Sequence, residues 1–231
     1  MESQVVDSFS KFIESTELFG ILKVSLPFIF RGQPVKGNLL PNIVRKNNSF
    51  EILEIEGKMI EQFELMGTTF LPEKCRTRLD MLVLAQHFRL KTRLLDWTSN
   101  PLAALWFACA DKSSGDVYVY GLEANDLLVK NVYEEDPFSY FETLVFQPRL
   151  NNPRIIAQHG WFTLHGFSVG AKKFVPLEND PEVKNHLNEY VIPEAKREEF
   201  LWYLDHYGIS FRTLYPDLEG LCLYLNWRHE L

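Results

Sequence analysis

Three stretches of the chain set polar or charged side chains among apolar neighbours, where they could do chemistry. In Phe30-Arg31-Gly32-Gln33 an arginine closes an apolar, β-branched run, and a buried guanidinium needs an anion, either an internal carboxylate or a ligand phosphate. The internal pair is the commoner outcome for that residue type, while Gly32 would let a ligand approach the backbone. In the second stretch Gln86-His87 is followed by Thr92-Arg93-Leu94-Leu95-Asp96-Trp97-Thr98-Ser99-Asn100-Pro101. It reads as a strand delivering Asp96, Trp97, Thr98 and Ser99 to a helix start, where free amides and the dipole favour an anion or a polar ligand group. A helix cap at Ser99 and a structural salt bridge between Arg93 and Asp96 explain the same residues. His87 is more often a packed residue than a catalytic one. The third stretch, Arg154 to Leu164, reads as β-rich, with Gly160 as a bulge or close-approach point. Its Gln158 would face a pocket, to hold an amide or ribose hydroxyl, or satisfy a sheet edge. Glu189, before Tyr190-Val191-Ile192-Pro193, could be a strand carboxylate acting on a sugar, although a solvated position is the commoner fate in a chain with 31 acidic residues.

Familiar catalytic templates are absent. The chain has no GxGxxG, GxxxxGK[ST], HExxH or GxSxG, which removes sequence support for P-loop hydrolysis, zinc proteolysis and elbow-type serine hydrolysis. Cys75, Cys109 and Cys222 stand far apart without metal-ligand spacing, so neither a disulfide framework nor a metal site is expected, and Cys109 reads as core. No apolar run is long enough to span a membrane and the first thirty residues lack a secretory pattern, so a cytoplasmic protein with no membrane partner is expected. A net charge of -7 argues against a surface dominated by phosphate contacts, but Lys36, Arg45, Lys46, Arg89, Lys91 and Arg93 could gather on one face. Aromatic residues make up 14% of the chain, enough for both core and ligand walls.

These residues need elements to position them. Phe9, Phe12, Ile13 and Phe19 predict a helix over 8–20 stopped by Gly20, and a buried strand follows, ending at Arg31. Ile52, Leu53, Ile55, Met59, Ile60, Phe63 and Met66 follow helical spacing within 50–66, and Met81, Leu82, Leu84, Ala85 and Phe88 predict another helix over 79–88. A strand over 92–98 leads to a helix over 102–110, capped by Ser99 or Asn100 with Pro101 in its first turn. Strands over 116–120 and 190–192 and helices over 194–207 and 217–227 complete the order, with Gly208 as a stop. The mixture lacks βαβ alternation, so the expected fold is α+β, one domain over 1–231 with a mixed or mostly antiparallel sheet flanked by helices.

FRGQ at 30–33, QHFRLKTRLLDWTSNPLAALWFA at 86–108, RIIAQHGWFTLHG at 154–166 and the tail YVIPEAKREEF…YGIS…LYPDLEGLCLYL resemble the FRG domain family over a core of about 25–227. Arg89 and Lys91 depart from the family's Gly and Pro in the turn before TRLLDWT. More distantly, the order is similar to the ADP-ribosyltransferase superfamily, which implies a split sheet and NAD as cofactor. On that resemblance Arg31 holds the pyrophosphate with Gly32, Gln33 and Arg93 nearby, Trp97 or Trp161 stacks on a planar ring, and Thr98 and Ser99 line the wall. Gln158 takes the place of a catalytic Glu, so Glu189 or Asp96 would supply the carboxylate, with His87 in reserve to deprotonate an acceptor. The resemblance implies a bacterial toxin or anti-phage effector that modifies RNA, DNA or protein, with a neutralising antitoxin as a further partner. The same pocket could equally make a non-catalytic module that binds a nucleotide or partner. A nuclease built on Asp96, His87 and Arg93 is the third reading.

Overall fold

A seven-stranded mixed sheet carries the architecture of this computed structural model, which describes residues 1–22, 27–72, 77–129, 131–149 and 152–230. Its strands are β1 (Glu2–Val5), β2 (Phe28–Gln33), β3 (Leu94–Thr98), β4 (Val117–Glu123), β5 (Leu144–Phe146), β6 (Gly160–Leu164) and β7 (Leu187–Ile192). Their spatial order is β1-β7-β4-β2-β3-β6-β5. The pairing is antiparallel throughout except for β1 along β7. The helices are α1 (Phe9–Leu22), α2 (Glu51–Gly67), α3 (Arg78–His87), α4 (Pro101–Cys109), α5 (Pro153–Ala157), α6 (Arg197–His206), α7 (Phe211–Leu214) and α8 (Leu218–Arg228). The α+β class and mostly antiparallel sheet expected from the sequence are therefore present.

The sheet is split at its centre. β2 pairs with β4 from Phe28↔Glu123 to Gln33↔Tyr118, whereas β2 meets β3 only at Phe30↔Thr98. Beyond that pair the two strands diverge.

Strand alternation sends side chains to two cores. Phe30, Val119, Tyr190 and Ile192 face α4, whose Ala103, Ala104 and Ala108 are buried. Ile29, Leu95, Trp97, Tyr120, Leu122 and Leu187 face the other way, under Leu39, Leu177 and Val183. Beside the split, Leu94, Phe162 and Leu164 pack with Leu79 and Leu82 of α3 and Ile60 of α2.

Local chemistry explains where the helices start. Thr77 and Asp80 form a capping box on α3, the Asn100 side chain accepts from the Leu102 and Ala103 amides ahead of α4, and Asn152 accepts from Arg154 N–H ahead of α5. Pro101 and Pro153 each occupy the first turn that such a cap opens. Gly208, at φ 80°, follows the end of α6 as expected.

Several expectations need correction. α1 runs through Gly20 to Leu22, so that glycine does not stop the helix. Residues 154–164 are not one β-rich stretch: α5 occupies the first half, and Gly160 pairs regularly with Thr98 rather than forming a bulge. On α2, Ile55 and Met66 are exposed and Glu56 is buried in their stead; Phe88, past the end of α3, is exposed too. Cys109 is core, and burial pushes its thiol up to about 12. Cys75 and the side chain of Phe19 lie outside the described residues. No helix among the described residues is long and apolar enough to cross a membrane.

Candidate functional site

The β2–β3 split opens a cleft of about 330 Å³. Phe30, Arg31 and Gly32 of β2 form one side, Asp96, Trp97 and Thr98 of β3 another, and Phe107, Gln158 and Tyr215 close it from α4, the end of α5 and the end of α7. Six residues singled out from the sequence thus meet here: Arg31, Gly32, Asp96, Trp97, Thr98 and Gln158.

Arg31 is held at the split by its own hydrogen bonds. Its Nη1 donates to the Asp96 carbonyl at 2.7 Å and lies 4.0 Å from Asp96 Oδ2, while Nε donates to Gln33 Oε1 at 3.4 Å. Burial lowers the guanidinium's proton affinity; the Asp96 charge opposes that, and nearby Arg45 adds to it. The Asp96 carboxylate is 60% exposed, so it remains available to a ligand. Gln86 orients it, donating from Nε2 to Oδ2 at 3.1 Å, and is itself fixed by the Thr92 hydroxyl at 2.8 Å. Gln33 is buried and donates to the Val35 and Gly37 carbonyls, so it anchors the loop after β2 and braces Arg31 instead of touching a ligand.

Gly32 admits a helix. A Cβ there would lie 1.8 Å from Ala104 O and 2.7 Å from Ala108 N, so its close neighbour is the α4 backbone. Thr98 accepts from Asn100 N–H at 3.0 Å and helps start the same helix. Ser99 is exposed outside the cleft, its amide bonded to His159 O, and the cap on α4 is Asn100.

The proposed aromatic walls change identity. Trp97 is buried in the core on the opposite face, its Nε1 donating to Thr163 Oγ1 at 3.2 Å, and only borders the cleft. Trp161, directly across from it on β6, packs in the same core away from the cleft. The rings that face the cleft are Phe30, Phe107 and Tyr215. Phe107 and Tyr215, 6.4 Å apart and edge-on, were missed as site residues. Tyr215 lies in a turn before Pro216 and the α8 cap Asp217, so turn chemistry was its only local signal.

Arg93 leaves the site altogether. It is fully buried, with Nε 3.1 Å from Glu56 Oε2, its amide donating to Glu56 Oε1, and its guanidinium bonded to the Pro137 and Tyr140 carbonyls. Its partner is Glu56, not Asp96, and burial pushes the Glu56 carboxyl up to about 7. Glu189 is also sealed off. It sits on β7 between β1 and β4, not beside β6, and takes hydrogen bonds from Ser3 Oγ at 2.8 Å and Tyr120 Oη at 2.9 Å, with Lys36 Nζ at 3.4 Å. Gln158 is no strand residue: it caps α5, and its Nε2 donates to Leu214 O at 3.1 Å.

His87 belongs to a second cleft of about 390 Å³, lined by His87, Phe88 and Arg89 after α3, by Asn152, Pro153 and Arg154 at α5, and by Pro216 and Asp217. Tyr215 and Pro216, consecutive in the chain, place one residue in each cleft. Burial, and then the Arg154 charge, pull the His87 pKa down against the attraction of Asp96, so the imidazole is neutral at neutral pH.

Residues 26–117 match the family model for the FRG domain, a span from just before β2 to the first residue of β4. No curated protein and no solved structure matches the chain.

Proposed function

We propose that this chain, which carries an FRG domain at residues 26–117, binds an NAD-class dinucleotide at the β2–β3 split and transfers its ADP-ribosyl group to a macromolecular acceptor. The observation that supports this reading most is Arg31, a largely buried guanidinium at the mouth of a split sheet, whose one carboxylate partner among the described residues, Asp96, stands at the long distance of 4.0 Å. Such a planar fork suits a pyrophosphate. Phe107 and Tyr215 offer flat faces to a ring, and two neighbouring clefts of about 330 and 390 Å³ are of the size that small ligands occupy.

Asp96 is the carboxylate that faces positive charge developing on the ribose. Glu189 is sealed behind Tyr120 and Ser3, and Gln158 carries no charge. The chemistry supplied by a bound dinucleotide is a bond from nicotinamide to ribose C1′ that breaks as an acceptor atom bonds to C1′ and releases its proton. Arg31 holds the anionic end, Gln86 keeps Asp96 aimed into the cleft, and the neutral His87 stands on the acceptor side. A toxin or anti-phage role, and a neutralising antitoxin, rest on the superfamily resemblance. The second reading is a non-catalytic nucleotide-binding module, favoured by the neutral Gln158 in the cleft. The nuclease reading loses Arg93, which is bound to Glu56 in the core.

Thermal unfolding with NAD, followed by nicotinamide release in the presence of RNA, DNA or lysate, separates these readings. Ligand at about a hundred times its Kd adds about 2.7 kcal/mol, a rise of about 5–10 °C for a domain of this size. Arg31→Ala should abolish the rise, and Asp96→Asn should keep it while ending release. A rise without release in the wild type favours the binding module; no rise removes the dinucleotide reading.

A further inference from the structure

The second cleft has a chemistry of its own. Phe88 at its rim is 67% exposed, an aromatic face that serves no core. Arg89 follows at φ 69°, where Arg89 N–H bonds to Gln86 O and Leu90 N–H to Ala85 O, the paired bonds of a Schellman motif. Its left-handed position is one that glycine fills without strain, yet here it carries a cation on the cleft wall. Among the described residues no carboxylate lies within ion-pair distance of Arg89 or of the exposed Lys91. Asp217, the acid in the cleft, and the neighbouring Glu219 are both taken by Arg154, at 2.6 and 3.0 Å. Arg89, without an ion-pair partner among the described residues, therefore stands beside the largely exposed Phe88 ring on the cleft wall of a protein of net charge -7, and the exposed Lys91 follows two residues on.

We propose that this cleft binds single-stranded nucleic acid, with a base stacked on Phe88 and the backbone phosphates on Arg89 and Lys91. Stacking needs an unpaired base, because a duplex hides its faces, and the cations meet the charge that every nucleotide carries. The role of that strand as the ADP-ribosyl acceptor rests on the transfer reading above; the binding itself does not. Tyr215 and Pro216 place the bound strand next to the Arg31–Asp96 cleft.

Fluorescence anisotropy of a labelled short oligonucleotide with the whole chain, at about 50 mM salt and above, tests the proposal. Phe88→Ala should weaken binding about five- to 150-fold. Arg89→Gly should weaken it as well and make the slope of log K against log salt shallower by about 0.7, while its melting temperature stays at or above wild type because glycine suits that backbone. No binding by the wild type, unchanged affinity in both variants, equal binding of the matching duplex, or equal competition by a polyglutamate peptide would each overturn it. Arg31→Ala should retain oligonucleotide binding. Oligonucleotide binding without an NAD-induced rise in melting temperature leaves this site standing and removes the transfer reading; the opposite result removes this site alone.

Discussion

Alanine at Gly32 separates a ligand-access role from a packing role for this glycine. The added Cβ would sit 1.8 Å from Ala104 O, 2.7 Å from Ala108 N and 2.8 Å from Ala104 C. All three are backbone atoms of α4, so no side-chain rotation relieves the overlap. To restore even a tight contact, α4 must retreat from β2 by more than about 1 Å, and it takes Ala103, Ala104, Leu105, Trp106 and Ala108 out of register with the sheet. Overpacking commonly costs about 1–3 kcal/mol, and a clash of backbone with Cβ belongs at or above the upper end. At about 2–4 °C per kcal/mol for a chain of this length, the melting temperature should fall by about 6–12 °C.

The loss has a matched control. Gly170 is exposed and a Cβ there meets nothing within 4 Å, so Gly170→Ala should stay within about 0.5 kcal/mol of wild type. Thermal and urea unfolding of both variants, with an unchanged urea slope, give the comparison. Because Phe107 rides on α4, Gly32→Ala should also weaken ligand binding, but only together with stability. A variant that melts like wild type and still loses NAD would refute the packing argument and return Gly32 to the ligand.

Glu56→Gln strips the counter-charge from a fully buried guanidinium and should cost about 3–5 kcal/mol, read by urea unfolding; an apolar pair replacing Glu56 and Arg93 together should recover most of it. His165 is buried with its Nε2 at 2.7 Å from Val175 O, and burial pulls its pKa down from 6.5 to about 4. Its neutral form is the native one, so its contribution is complete above pH 6.5, falls as the pH drops through 4, and amounts to a loss of about 2 kcal/mol at about pH 5. Glu56 runs the other way, its contribution fading as the pH rises from 4.5 through about 7, so the histidine's share is the difference between wild type and His165→Gln. Equal losses in the two proteins between about pH 7 and pH 5 would show that His165 does not titrate as its burial requires.

Much of the order of elements was legible because it rests on local signals, and the clearest error shows the rule. Asn100-Pro101 reads as a helix start, and Asn100 caps α4. Asn152-Pro153 offers the same cap and first-turn proline, but the β-branched Ile155 and Ile156 behind it suggested a strand. The cap was the stronger signal, and it moves Gln158 from a strand to the end of a helix, where the Leu214 carbonyl takes its amide. β1 escaped for the opposite reason: Glu2-Ser3-Gln4-Val5 has no strand pattern, and its place is set by pairing with β7. Side-chain partners were less legible still. Arg93 and Asp96 are three residues apart, yet Arg93, just before β3, turns to Glu56, 37 positions earlier, while alternation within β3 sets Asp96 and Thr98 on the face opposite Leu95 and Trp97.

That alternation also explains why the site needs the split. Arg31, Tyr120 and Glu189 stand opposite one another across β2, β4 and β7, so they share one face of the sheet. Asp96 pairs with Phe162 and Thr98 with Phe30, on the other face. In a continuous sheet Arg31 and the Asp96 carboxylate would be separated by the sheet itself, while Glu189 shares the arginine's face two strands away. Divergence of β2 and β3 beyond Phe30↔Thr98 opens the layer, lets the guanidinium reach the Asp96 carbonyl, and brings residues from both faces to one cleft. Glu189, two strands away in the closed part of the sheet, is left to Tyr120, Ser3 and Lys36. That Asp96 and not Glu189 lines the cleft therefore follows from where pairing stops, a property of two strands about 60 residues apart that no local pattern in either one encodes.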